Sequence, residues 1–266
     1  MEDLTGKTAL ITGASSGLGE SYALELAERG ARVILVARRA DRLRDLANRI
    51  SAKHGIYAAS VLPMDLSVKD AGSTLAKVLK GRGTQIDILV NNAGFGHTID
   101  FIDEDNKSVI EELTVNVHTL VELTHAFLPG MVARKDGIVI NVASTAAFQS
   151  LPYMAVYGAT KAFVLSFTEA LWGETRKTGV KVLAVCPGPT ATEFFEAGGS
   201  SPALGRFIRS REDVIRTTFD ALATANSGGS VIDGGLNKLT ALSSRFFTRK
   251  FAITLAARVM NPNKKN

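Results

Sequence analysis

The chain has 266 residues, 45% hydrophobic and 21% charged, the composition of a folded protein large enough to bury a core without disulfide staples. One cysteine, Cys186, excludes an internal disulfide, and no Cys/His spacing suits a structural zinc, so no metal is expected. The net charge of +5 is a property of the tail: seven basic residues and no acid follow position 237, leaving the body near −2 and arguing against a nucleic-acid surface.

Thr8–Ile11 is a short apolar run that enters a glycine-rich turn, and helical periodicity through Tyr22, Leu24, Leu26 and Ala27 stops at Gly30. Val33–Val36 is apolar throughout, as in a strand buried on both faces. A helix is predicted over 39–53, a strand from Ile56 to Leu62, a helix near 67–80 and a strand over Ile86–Val90. One long helix is predicted over about 105–130, then a strand at Gly137–Val142, a second long helix near 152–177 and a strand from Val180 to Val185. A looser stretch near 188–210, a helix near 211–225 and a brief strand at Val231–Ile232 follow. This alternation predicts a doubly wound parallel α/β sheet of about seven strands with helices on both faces. It forms one domain over 1–237, and residues 238–266 are a basic, helical extension.

The turn after the first strand reads Thr12-Gly13-Ala14-Ser15-Ser16-Gly17-Leu18-Gly19. Glycines there let backbone approach a pyrophosphate, and the following helix N-terminus offers unpaired N–H groups to its charge. The second strand ends in Ala37-Arg38-Arg39, with no acid for ribose hydroxyls and two guanidiniums suited to a 2′-phosphate, which favours NADP(H) over NAD(H). Ser15 adds a hydroxyl. Asp65, followed by Leu66, either accepts from an adenine amino group or caps the helix starting near Ser67. Asn91-Asn92-Ala93-Gly94 ends the fourth strand, where small residues let the chain run along a ligand.

Tyr157 and Lys161 share a helix face, and Ser144 follows the fifth strand. An ammonium beside a phenol favours the phenolate, and a hydroxyl can hold a reacting oxygen. A Tyr–Lys pair alone would be an ordinary helix surface. Taken together, these residues resemble the short-chain dehydrogenase/reductase family over nearly the whole chain, from about Lys7 to Val231. Thr12–Gly19 resembles its TGxxxGxG loop, Asn91–Gly94 its NNAG element and Tyr157–Lys161 its YxxxK, with Ser144 thirteen residues before Tyr157. The resemblance implies a Rossmann-type fold and a hydride exchange between NADP(H) and a carbonyl or secondary alcohol. Tyr157 would move the proton and Ser144 hold the oxygen. Lys161 would bind the nicotinamide ribose and lower the Tyr157 pKa, and Asn116 would hold a water leading to Lys161. Pro187, Gly188, Thr190 and Thr192 would touch the nicotinamide carboxamide. It also implies a homodimer or homotetramer built through the two long helices.

The substrate side is read from Phe95, Phe148, Tyr153 and Phe194, joined by Ser144 and Tyr157, with more apolar residues over 190–210. They either favour an apolar ketone or acyl-type substrate or pack the underside of a lid. His97 is either a polar pocket group or a surface-loop histidine. The tail, with Phe246, Phe247, Phe251 and Leu255 among basic residues, could dock on the body or a partner subunit, lie on anionic lipid, or fray. A cytoplasmic protein is expected, with peripheral membrane contact open. The rival to a working reductase is a catalytically silent NADP(H)-binding sensor or scaffold.

Overall fold

The computed structural model describes residues 3–192, 208–224, 228–243 and 247–261. In chain order, β1 (Thr8–Thr12), α1 (Gly17–Glu28), β2 (Arg32–Ala37), α2 (Ala40–His54), β3 (Ala59–Pro63), α3 (Ala71–Gly81) and β4 (Ile88–Asn91) make the first half. The second has α4 (Asn106–Leu113), α5 (Leu120–Arg134), β5 (Gly137–Val142), α6 (Ala155–Thr175), β6 (Val180–Cys186), α7 (Arg211–Ala223), β7 (Ser230–Ile232), α8 (Gly235–Ser243) and α9 (Arg249–Met260).

The seven strands form one sheet in the order β3-β2-β1-β4-β5-β6-β7, every neighbouring pair parallel. Continuous apolarity of the central strands follows from burial on both faces. Ala9 and Ile11 of β1 join Val33 and Leu35 in the layer under α1, α2 and α7. Leu10, one residue out of phase, joins Val36, Leu89 and Val139 under α3 and α5. Both layers are buried, so cutting Leu10 or Leu35 (each 0% exposed) to Ala should cost about 2–5 kcal/mol. The chain winds outward from β1 to β3, then returns across β1 to begin β4. That reversal opens a crevice beyond the C-terminal ends of β1 and β4, the place where such sheets bind ligands.

Three boundaries differ from expectation for local reasons. β3 begins at Ala59, because Ile56 and Tyr57, though apolar, are 76% and 83% exposed in the turn after Gly55. α3 begins at Ala71, because Asp70 adopts a left-handed φ of 59°. The predicted helix over 105–130 is cut by a π-helical turn at Thr114–Thr119 between α4 and α5.

Candidate active site

β1 delivers Thr12 and Gly13 to the crevice, and α1 starts at Gly17 facing it. Gly13 (φ 66°) and Gly17 (φ 59°) hold backbone that side chains disfavour. A Cβ on Gly19 would stand 2.2 Å from the Gly13 carbonyl oxygen, so only glycine lets α1 close onto the loop. Asn92 braces the loop from β4: its Nδ2 donates to the carbonyls of Thr12 (3.0 Å) and Gly13 (3.3 Å), while Thr12 Oγ1 accepts from the backbone N–H of Asn92 and of Ala93. Asn91 points inward, donating to Asn141 on β5 (2.9 Å) and Thr124 on α5 (3.1 Å), which ties neighbouring strand ends.

A cleft of about 1020 Å³ runs from this loop to the end of β5. Gly13, Ser15, Ser16, Gly17 and Leu18 line its floor, and Gly19 acts from behind as the packing contact just described. At one end stand Arg38 and Arg39. Arg39 folds onto the loop, donating from Nη2 to Ser16 Oγ (2.8 Å) and Ser15 Oγ (3.1 Å), while Arg38 stays exposed. Asp65 lines the same end but does not cap α3. It accepts from the N–H (2.9 Å) and Oγ (2.7 Å) of Ser67, a turn that ends before Asp70, the residue that opens α3. Partial burial works against its charge, yet the Ser67 bonds and nearby Arg38 hold the carboxyl below its ordinary range. Leu66, Ala93 and Gly94 continue the wall, with the Leu66 carbonyl accepting from Thr119.

The cleft's other end holds the polar cluster. Ser144 caps the short turn Thr145–Phe148, accepting from the Ala146 N–H (3.1 Å), and its hydroxyl is hydrogen-bonded to the Tyr157 phenol. Tyr157 and Lys161 lie one turn apart on α6, with Lys161 Nζ donating to the Val142 carbonyl (2.8 Å) and standing 5.7 Å from the Tyr157 ring centre. Gly96 makes room for the ring: a Cβ there would meet Tyr157 Cδ2 at 2.6 Å. Burial pushes the phenol up to about 12; the Ser144 bond opposes this and Glu112 reinforces it. Burial brings the Lys161 ammonium down to about 8, against the pull of Cys186 and Glu112. The lowering of the phenol by its lysine, expected from the spacing, is therefore not what the surroundings produce. Desolvation dominates, and Tyr157 holds its proton at neutral pH.

Asn116 sits in the π-helical turn, 1% exposed. Its Nδ2 donates to the Phe95 carbonyl (2.9 Å) and Thr160 Oγ1 (3.0 Å), and its Oδ1 accepts from the Phe95 N–H (3.1 Å). Both amide hydrogens are bonded to protein, so the side chain pins Gly94–Phe95 beside Lys161. Such turns often mark functional positions. Past β6, Pro187, Gly188, Thr190 and Thr192 line the cleft, and Thr192 Cγ2 would lie 3.1 Å from a Cβ on Gly17.

Phe95 lines the cleft as expected, but Phe148 and Tyr153 do not; Gln149, Leu151 and Met154 form that wall. Phe148 packs into the small core around Leu120 and Val164, and Tyr153 sits in a left-handed turn (φ 67°) whose carbonyl accepts from the Ile99 N–H. Phe194 lies outside the described residues.

Several cleft features were not read from the sequence. α8 and α9 form its outer wall through Asn237, Phe251, Leu255 and Val259, while Ala256 and Met260 are buried beneath. The described part of the tail is thus docked on the body. Asp233, 0% exposed, accepts from Arg209 Nε (3.0 Å) and from Thr217 Oγ1 (2.7 Å), and Arg209 bridges to Thr190. His97, Glu104 and Glu112, spread over 16 positions, gather ligand-type atoms within 4.8 Å of one another. Among the described residues, no helix is long and apolar enough to cross a membrane.

A family model described as short chain dehydrogenase matches residues 7–201. The very-long-chain 3-oxoacyl-CoA reductase of Rattus norvegicus is 30% identical, over 98% of this chain and 84% of its own. The NADP-dependent 3-hydroxy acid dehydrogenase of Schizosaccharomyces pombe is 38% identical over 73% of this chain and 75% of its own. Among solved structures, a 7beta-hydroxysteroid dehydrogenase aligns with a TM-score of 0.86 at 27% identity, covering 97% of this chain and 100% of that one. A short-chain dehydrogenase from Sphingobium yanoikuyae in complex with NADPH aligns with a TM-score of 0.78 at 30% identity, covering 90% and 93%.

Proposed function

The chain belongs to the short-chain dehydrogenase/reductase family and is an oxidoreductase, and from that premise we propose that it uses NADP(H) to interconvert a carbonyl and a secondary alcohol, reducing an apolar ketone or acyl-type substrate. The observation that carries the reading is the single cleft that joins the glycine loop and Arg38–Arg39 to Ser144, Tyr157 and Lys161, with apolar helices as its outer wall.

The loop residues fit a dinucleotide: glycines let the loop pack tightly against α1 and Asn92, and Gly13 and Gly17 leave only backbone on the cleft floor, where a pyrophosphate can approach. When bound, NADPH supplies the hydride. Gly13–Gly19 and the α1 N-terminus would hold its pyrophosphate. Arg38 and Arg39, with Ser15, would hold a 2′-phosphate, since Ala37 leaves no carboxylate to repel it. Asp65 and Leu66 would flank the adenine, Asn92–Gly94 the ribose, and Pro187 to Thr192 the carboxamide.

Tyr157, protonated at neutral pH, donates its proton to the carbonyl oxygen as negative charge develops there. Ser144 positions that oxygen, and Lys161 secures the nicotinamide ribose and the charge balance around the phenol. Asn116 fixes the Gly94–Phe95 edge against which the reacting groups are set. Phe95, Met154, Phe251 and Leu255 offer the substrate apolar surface. Assembly into homodimers or homotetramers is part of the proposal: Ile110 and Leu113 on α4 and Phe163 on α6 are 53%, 41% and 42% exposed, and light scattering would count the subunits.

The decisive experiment is NADPH oxidation against a panel of ketones and 3-oxoacyl thioesters, with NADH in parallel. Turnover with NADPH and an apolar carbonyl is expected. Failure of every carbonyl, or a preference for NADH, overturns the reading.

A further inference from the structure

No acid follows Asp233 in the sequence, while seven lysines and arginines do. Four of these, Lys238 on α8 and Arg249, Lys250 and Arg258 on α9, are exposed. The same stretch leaves large apolar side chains in the open. Leu236 and Leu239 on α8 are 50% and 67% exposed, Phe247 before α9 is 53%, and Phe251 and Leu255 on α9 are 51% each. The rings of Phe247 and Phe251 lie 5.1 Å apart at a tilt, so they form one aromatic ledge rather than two stray residues.

Helical spacing sorts these side chains. α9 buries Ala256 and Met260 against the body. On its outward side, Phe251 leads by steps of four and three through Leu255 to Arg258, and Lys250 reaches the same Arg258 by two steps of four. That face is therefore apolar along one row and basic along the next. α9 has 12 residues, about 18 Å of helix, which is short of the roughly 30 Å of a hydrocarbon core. A helix of this kind can lie along a bilayer but cannot cross it. Leu236, Phe247, Phe251 and Leu255 also line the cleft, so the exposed face is the rim of its mouth.

We propose that the outward face of α8 and α9 docks on an anionic lipid surface, with the mouth of the cleft against the bilayer. Charge complementarity selects this occupant. Anionic headgroups pair with the four exposed cations, and the acyl boundary just beneath takes up Leu239, Phe247 and Phe251. A second copy of the chain meeting this face with its own would set like charges together, with no acid after Asp233 to pair them. A nucleic-acid backbone would satisfy the cations and leave the apolar rows uncovered. Docking stands without the reductase reading. One consequence rests on it: an apolar carbonyl dissolved in the bilayer would enter the cleft at the lipid surface instead of crossing water.

The test is co-sedimentation of the full chain with vesicles of equal parts phosphatidylcholine and phosphatidylglycerol, with pure phosphatidylcholine in parallel. The wild type should pellet with the anionic vesicles at low salt and be largely released by high salt or by the neutral lipid. Lys250→Glu combined with Arg258→Glu keeps the apolar rows and should weaken binding at least about tenfold. Leu239→Ser, outside the cleft, should weaken it a few-fold. All three positions are exposed, so circular dichroism should show wild-type folding. A wild type that ignores anionic vesicles overturns the proposal, as does a folded charge-reversed variant that binds them equally. A wild-type dimer that ignores the vesicles and that the charge reversal splits, by light scattering, gives the face to a second copy and also overturns it. For the consequence, a ketone dissolved in the anionic vesicles should be reduced faster by wild type than by the charge-reversed variant, with equal rates on a water-soluble ketone. Equal rates on both overturn the bilayer route. A chain that reduces no ketone sinks the reductase reading and leaves the sedimentation result standing.

Discussion

The cofactor end and the substrate end of the cleft are built by opposite means. Around the glycine loop and the ends of β1 and β4, the cleft is built largely from backbone, small side chains and residues locked by bonds, as Asn92 is to Thr12 and Asn116 to Phe95. After β6 the wall is made of side chains on α8 and α9, with Phe251, Leu255 and Val259 still 51%, 51% and 43% exposed. The first construction fixes positions to fractions of an ångström and tolerates little change. The second presents apolar area whose individual contacts can be exchanged. A reaction common to a family suits the former, and a choice of substrate suits the latter.

The sharpest way to break this comparison is at Tyr157. Tyr157→Phe should cut kcat by about 10³-fold while leaving NADPH binding by fluorescence near wild type, because the proton donor is lost and the cleft keeps its shape. Next come the arginines. Arg39→Ala removes the bonds to Ser15 and Ser16 as well as a phosphate partner, and should raise the Kd for NADPH roughly 10- to 100-fold with far less effect on NADH. Arg38→Ala should act in the same direction, and equal losses for the two cofactors would refute the 2′-phosphate assignment. At the other end, Leu255→Ala should raise KM for apolar substrates only a few-fold and leave kcat alone, since a half-exposed side chain gains only part of its roughly 1.5–3 kcal/mol on covering. A large kcat effect there would show that α9 belongs to the rigid frame after all.

The smallest effect concerns stability against pH. The Glu112 carboxyl, raised from 4.5 to about 8, is neutral in both folded and unfolded chains below 4.5 and carries no penalty there. Above 4.5 the unfolded chain ionises and the folded one resists, so the penalty grows until about pH 8 and then stays constant. Glu112→Gln should therefore melt close to wild type at pH 4.5 and higher than wild type at pH 8, by calorimetry. Lys161 is common to both proteins, so its own titration largely cancels.

Legibility in the sequence divided along the same line. The glycine loop, Ser144, Tyr157 and Lys161 could be placed because each needs a residue type at a fixed spacing within one strand–turn–helix unit. The sheet could be read because burial on both faces leaves unbroken apolar runs. The π-helical turn at Thr114–Thr119 left no trace, since it changes hydrogen bonding without changing the apolar period. Phe148 and Tyr153 looked like pocket residues by proximity to Ser144 and Tyr157, but a short turn and one left-handed residue face them elsewhere. Asp233, Arg209 and the His97–Glu104–Glu112 group are tertiary encounters, and no local pattern announces those. The tail's apolar residues were visible and docking on the body was among the readings they allowed, but the cleft wall they form was not.

The Thr190–Arg209 bridge, anchored through Arg209 to buried Asp233, has a consequence for how this molecule could change over time. Thr190 and Arg209 are thus held side by side, and the two ends of the connection between them are fixed to the frame. Doubling the length of a segment closed in this way costs only about 0.6 kcal/mol in chain entropy. A change of length between these two anchored points therefore costs little in closure entropy, so the join itself is a tolerant place for the chain to lengthen or shorten over time.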